Sequence, residues 1–219
     1  MANEGANVKR IFLAILLLVI ALMLIAGLGH GKWILFYDEP VKGYVIDAET
    51  GKPLEDAVVV SMWQLTQLFS GGYGGYAKVI EAKTGKEGRF IIPFWMTFKP
   101  WTFYSVMYDI APQIVIYKPG YKLYRSHKIM REGYPGDISV TAEERRQVKD
   151  KYSINPAKLA PIYSDEDRAK NIMDTSSAIS SGMIGDGINK KDVINVLRAL
   201  DEERMSLPEK LRKELPKNE

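Results

Sequence analysis

Cysteine is missing from all 219 residues, and that absence removes several chemistries together. It excludes a disulfide framework, a thiolate metal site, a cysteine nucleophile and a bacterial lipoprotein anchor, which needs a cysteine to acylate. Histidine is scarce: His30 and His127 are the two present. Neither belongs to an HExxH or HxxE pattern, so the paired-histidine zinc site of a metallopeptidase is not written in the chain. No serine sits in a G-x-S-x-G elbow. The glycine run Ser70–Tyr76 lacks the GK[ST] ending of a phosphate loop. Charge of either sign is not in excess. With 30 basic and 27 acidic residues the net is +3, too little for the basic field that nucleic acid requires. The acidic clusters Glu143-Glu144, Asp165-Glu166-Asp167 and Glu202-Glu203 read as helix starts and solvated faces. From these absences the chain is expected to be no enzyme and to hold no metal or cofactor.

What is present begins with a long apolar run. Ile11 to Leu28 is unbroken by charge over 18 residues, and Lys9 and Arg10 precede it. As a helix, 18 residues span roughly 27 Å, close to the ~30 Å hydrocarbon core of a bilayer. A buried soluble helix would show a polar face, and this run has none. Basic residues stay on the cytoplasmic side, which predicts a cytoplasmic tail over 1–10, a transmembrane anchor or signal peptide over 11–30, and a translocated remainder. Gly27-Leu28-Gly29 offers a small-x-small cleavage site. Against cleavage, the run exceeds an ordinary signal core, and Trp33, Phe36 and Tyr37 follow as an interfacial aromatic belt would. A single-pass membrane protein with its C-terminal part outside the cytoplasm is therefore expected, or a periplasmic or secreted one after cleavage.

From Val41 to about Lys128 the composition is that of strands: Val, Ile, Tyr and Phe, punctuated by Gly and Pro. Strands are predicted over Val41–Ile46, Ala57–Gln64 (apolar on both faces), Ala77–Lys83, Arg89–Ile92, Ile114–Tyr117 and Tyr121–Lys128. The turns between them are Asp47–Lys52, Thr84–Gly88 and Lys118-Pro119-Gly120. After about Gly133 the pattern becomes helical. Thr141…Glu144, Ser164…Asp167 and Ser206…Glu209 each place an acid three residues after a hydroxyl, the spacing of a helix start. Asn189 to Asp192 reads as a similar cap. Val193, Val196, Leu197 and Leu200 form one apolar stripe, and Ala169, Ile172 and Met173 a weaker one. Ser180-Ser181-Gly182 reads as loop, and residues 158–163 are a candidate last strand.

The stretch Lys42–Lys122 resembles the carboxypeptidase regulatory-like domain. The pieces that carry the resemblance are Gly43-Tyr-Val-Ile-Asp47, Thr50-Gly-Lys-Pro-Leu-Glu-Asp-Ala57 with Val58-Val59-Val60, Thr84…Gly88-Arg-Phe90, and Lys118-Pro-Gly-Tyr121. The resemblance implies a transthyretin-like (immunoglobulin-like) antiparallel β-sandwich over 40–132, and the helical pattern read above then covers 133–219. It also implies a non-catalytic module. Two segments depart from the family pattern as insertions, Leu65–Tyr76 and Phe94–Pro112.

The second insertion is dense in aromatic residues, Phe94, Trp95, Phe98, Trp101, Phe103, Tyr104 and Tyr108. Core packing is one account of them, and a surface for lipid, a protein or a glycan is another. The candidate contact surface is Tyr73, Tyr76, Trp95 and Trp101. The function expected from the whole is a membrane-tethered or exported non-catalytic interaction module with a protein partner in the cell envelope. The alternative is an exported module that binds carbohydrate or another envelope polymer.

Overall fold

A computed structural model of the chain describes residues 9, 11–18, 35–99, 105–107, 112–125, 153–183 and 189–215. Over these the protein is mainly β, with antiparallel sheets and helices toward the C-terminus. The strands are β1 Leu35–Asp38, β2 Val41–Asp47, β3 Val58–Gln67, β4 Tyr73–Lys83, β5 Arg89–Ile92, β6 Trp95–Phe98, β7 Ser105–Val106, β8 Gln113–Tyr117, β9 Tyr124–Arg125 and β10 Ser153–Leu159. The helices are α1 Asp165–Met183, α2 Ile194–Ser206 and α3 Glu209–Glu214, with a 3₁₀ turn over Lys190–Val193.

β3 organises the rest. Its Val58–Trp63 stretch is buried on both faces, as its unbroken apolar character predicts. It pairs with β4 on one side and with β8 and β7 on the other. Val59, Trp63 and Leu65 enter one apolar cluster together with Val41 and Val45 of β2, Phe90 and Ile92 of β5, and Ile114 and Ile116 of β8. Val58, Val60 and Met62 enter a second cluster together with Ile172 and Ile179 of α1 and Val196 and Leu200 of α2. With β9 beside β8 this makes a five-stranded sheet, packed on one side by strands and on the other by helices.

The turn residues act as their chemistry predicts. The Asp47 carboxylate accepts from the amides of Glu49 and Thr50 at 2.8 Å each, and the Thr50 bond above all holds its pKa below the ordinary carboxylate value. Thr84 is buried; its hydroxyl donates to the Leu54 carbonyl at 2.6 Å and accepts from the Ala57 amide at 2.9 Å, tying the second motif to the third. Gly88 has φ +68°, and a Cβ there would lie 2.4 Å from the Val45 carbonyl oxygen, so no other residue fits without movement.

Two strand expectations are corrected. Residues 158–163 do not form the last strand; it is β10, Ser153–Leu159, and it runs parallel to β2 where an antiparallel sheet was expected. Pro156 interrupts the pattern that would have marked it, and the register shifts between Ile154 and Ala157. An edge strand tolerates that missing donor, and β10 is an edge in the order β10-β2-β5. Because β10 joins the sheet, the region after 133 is not purely helical.

Among the expected helix starts, the one at Ser164 is borne out and the one at Ser206 is not. Ser164 caps α1, its hydroxyl accepting from the Asp167 amide at 3.1 Å. Ser206 does not cap α3, whose N-cap is Pro208; the Ser206 hydroxyl donates to the Glu203 carbonyl at 2.7 Å instead. Ser180-Ser181-Gly182 is not loop, since α1 continues to Met183. Thr141–Glu144 lies outside the described residues.

At the N-terminus, residues 11–18 are helical and their side chains, apart from small ones, are exposed hydrophobics such as Phe12 and Leu18. Eight residues cover about 12 Å. Among the described residues no helix is long and apolar enough to cross a membrane, and the rest of the expected span, 19–28, lies outside them.

Candidate functional site

The four aromatic residues expected to form a contact surface are separated by the fold. Trp95 is buried in β6, its ring edge-on to Trp63 at 4.9 Å between centroids. Tyr76 is buried as well. Tyr73 is 40% exposed, and Trp101 lies outside the described residues. For Trp95 and Tyr76 the contact role is therefore corrected: packing in the cores removes both rings from the surface.

The glycine run shows how Tyr73 and Tyr76 come together. Residues three apart on a regular strand point to opposite faces, yet these rings meet edge-to-face at 5.5 Å. The ladder explains it. Trp63 opposes Lys78, Gln64 opposes Tyr76 and Thr66 opposes Tyr73, with register shifts at both steps. β4 therefore carries extra residues as bulges. Gly74 serves a close approach, because a Cβ on it would lie 2.9 Å from Ser105 Oγ of β7. The glycine run is thus mostly strand, and only its Ser70–Gly72 tip precedes β4. Burial raises the pKa of both tyrosines. The Lys99 ammonium donates to the Tyr76 carbonyl at 2.9 Å, and burial lowers its pKa.

The second insertion contributes a two-stranded ribbon that sequence patterning missed. β1 and β6 pair antiparallel, with Leu35 opposite Phe98, Tyr37 opposite Met96 and Asp38 opposite Trp95. β2 and β5 continue the same register from Val41 opposite Ile92, so only Glu39-Pro40 and Pro93-Phe94 are skipped. A proline on each strand removes a donor there and breaks the ladder. The inward face of the ribbon is Phe36, Asp38 and Trp95, all buried. Phe36 is therefore no part of an interfacial belt. The Trp63 indole N–H donates to Asp38 Oδ2 at 2.6 Å, and the Trp95 indole nitrogen finds no partner among the described residues. The signal that could have revealed β1 and β6 is a four-residue alternation beside each proline, too short to separate from a loop.

A second unforeseen centre is Glu203 on α2. The Glu202-Glu203 pair reads as a solvated face, but the Glu203 side chain is fully buried. Its Oε1 accepts from the Gly120 amide at 2.8 Å and from Arg168 Nε at 3.0 Å, and its Oε2 accepts from the Tyr117 hydroxyl. Arg168 also reaches Asp165 and Ser206. Burial, and secondarily the Glu203 charge, raises the Tyr117 pKa. The cluster joins β8, its following turn, α1 and α2. Among the described residues no group of His, Asp and Glu is placed to hold a metal ion; His30 and His127 lie outside them.

No family model matches the chain, and no curated protein matches it. Among solved structures it is similar to the 3-chlorocatechol 1,2-dioxygenase of Rhodococcus opacus, with 21% identity over 43% of each chain and a TM-score of 0.26. It is also similar to the dioxygenase domain of a dioxygenase carbohydrate-binding protein fusion from the cellulolytic bacterium Streptomyces sp. SirexAA-E, with 17% identity over 61% of this chain and 79% of that one and a TM-score of 0.27. A further dioxygenase matches at 16% identity over 59% and 82%, with a TM-score of 0.27. The chain spans 43% of the length of the first of these. All three are enzymes by name, which stands against the expectation of a non-catalytic module and of no enzyme, and neither expectation is kept. At such TM-scores the likeness assigns this chain neither a reaction nor a site residue.

Proposed function

We propose that the chain is a membrane-tethered protein of the cell envelope whose strands and helices stand outside the cytoplasm, with a protein partner there. The observation that carries the reading is the N-terminal run. Lys9 and Arg10 precede 18 apolar residues, and over 11–18 the chain is helical with large apolar side chains exposed. A helix apolar all round requires an apolar solvent, and the preceding charges set its orientation. Signal cleavage, leaving a periplasmic or secreted protein, is the second fate of the same segment.

In this reading the region 40–132 is a transthyretin-like sandwich of the carboxypeptidase regulatory-like kind. Two findings support it. The strands of the three-stranded and five-stranded sheets share one apolar cluster. The motif residues also meet in space: Thr84 bonds Leu54 and Ala57, Gly88 lies against Val45, and the Tyr121 hydroxyl donates to Asp47 at 3.0 Å.

A reporter that works only outside the cytoplasm, fused after Glu219, is expected to be active, and the protein is expected to stay with membranes through an alkaline carbonate wash. Activity of a cytoplasm-only reporter at the same place would refute the topology. N-terminal sequencing of the mature protein separates anchor from signal peptide.

A further inference from the structure

We infer that the outward face of the β1–β6 ribbon is a membrane-contact surface that lies on the lipid beside the tether. This rests on the tether proposed above. Along a half-buried strand, the outward positions are ordinarily polar. Here they are Leu35, Tyr37, Met96 and Phe98, exposed by 46%, 43%, 62% and 63%. The register places Leu35 beside Phe98 and Tyr37 beside Met96, so the four side chains form two adjoining cross-strand pairs on one face. The opposite face is already in the core. The outward side of the ribbon is therefore apolar and exposed. Beyond the prolines each exposed pair joins a charged residue to an apolar one, Lys42 opposite Ile91 and Arg89 opposite Tyr44, so a wholly apolar exposed face belongs to the ribbon alone.

The position of the ribbon in the chain identifies the occupant. Leu35, at its tip, follows Leu28, the last residue of the apolar run, by seven residues. Seven residues reach at most about 25 Å when fully extended. The tip therefore cannot leave the neighbourhood of the bilayer surface while the run is in the bilayer. A Tyr among aliphatic and aromatic side chains suits the headgroup level, where an apolar ring body and a polar hydroxyl are both accommodated. A second copy of the chain or a protein partner would cover the same area, but neither is held there by the covalent chain.

The absence of cysteine makes a direct test possible. Single variants Met96→Cys, Phe98→Cys and Lys86→Cys are made in the full chain, labelled with an environment-sensitive fluorophore and reconstituted into phosphatidylcholine vesicles. Lys86 sits in the turn before β5, beyond Arg89, which is itself nine residues or roughly 30 Å of strand from Phe98 at 3.3 Å per residue. Labels at 96 and 98 are expected to emit at shorter wavelength and to be quenched several-fold more by nitroxide-bearing lipid than by aqueous iodide, with the reverse at 86. Iodide quenching at 96 and 98 equal to that at 86 would overturn the inference. Shielding from both quenchers would overturn it too, because a protein surface is then the occupant. Retention of the chain on the vesicles through a carbonate wash is measured in the same samples. Loss of the chain in the wash refutes the tether itself, whereas retention with water-exposed labels refutes the ribbon contact alone.

Discussion

Trp95 and Met96 are neighbours with opposite fates. Trp95 turns inward against Trp63 at 4.9 Å and is buried, while Met96 faces out. Removing a buried Trp ring costs both its transfer energy and a cavity, so Trp95→Ala is expected to lower unfolding free energy by about 3–5 kcal/mol. Trp95→Phe keeps most of the ring volume and removes an indole N–H that has no partner among the described residues. An unpaired buried donor costs about 1–3 kcal/mol, so the Phe variant should lie much closer to the parent than the Ala variant. Urea unfolding of both measures this, and an Ala variant within about 1 kcal/mol of the parent would return Trp95 to the surface. Gly88 makes the same point about position, since the Val45 carbonyl leaves no room for a Cβ at a residue whose φ is +68°.

Helices and strands here are joined by side chains that serve another element's backbone. α2 has no capping side chain of its own at Val193. Glu81, from β4, supplies the cap: its carboxylate accepts from the amides of Asn195 and Val196 at 2.9 and 2.8 Å and from Asn195 Nδ2 at 3.0 Å. Free N–H groups and the positive end of the helix dipole both favour an anion there. α1 is held by Asn171 in a similar way, accepting from the Leu123 amide at 2.7 Å and donating to the Tyr121 carbonyl at 3.0 Å. Glu81→Ala is expected to cost about 0.5–2 kcal/mol, the range for loss of an N-cap. Glu81→Gln, which keeps an acceptor but not the charge, is expected to cost less. Thermal unfolding followed by circular dichroism gives the order, and Gln equal to Ala would mean that the charge and not the acceptor does the holding.

At the scale of the whole molecule, the helices are fastened over the five-stranded sheet by a hydrogen-bonded cluster centred on Glu203. Its pH dependence follows from Tyr117. Burial first, and the Glu203 charge second, raises the folded pKa of this phenol above its unfolded value of about 10. The stability it contributes is therefore fully present below pH ~10 and is lost as pH rises further. Unfolding free energy is expected to fall steeply above pH ~10. Tyr117→Phe should be less stable at pH 7 by about 1.5–3 kcal/mol, having lost a hydrogen bond to a charged group, and should fall less steeply with alkali. Parallel pH profiles for the two proteins would remove Tyr117 as the cause.

The sequence by itself determined whatever depends on near neighbours. The Asp47–Lys52 turn, the Thr84–Gly88 turn, the cap at Ser164 and the doubly apolar β3 can all be read from the chain, because the residues that make them lie within a few positions of one another. The apolar run is legible for the same reason. Tertiary structure alone decided the rest. Whether Glu203 is a solvated acid or a buried hub depends on Tyr117, Gly120 and Arg168, which lie 35 to 86 residues away. Which aromatic of the second insertion is core depends on a strand, β1, more than fifty residues earlier, and on the parity with which β6 meets it. β10 reaches the sheet by pairing parallel to β2, across more than a hundred residues. Burial is set by long-range partners, and composition or periodicity within a short window contains no record of them.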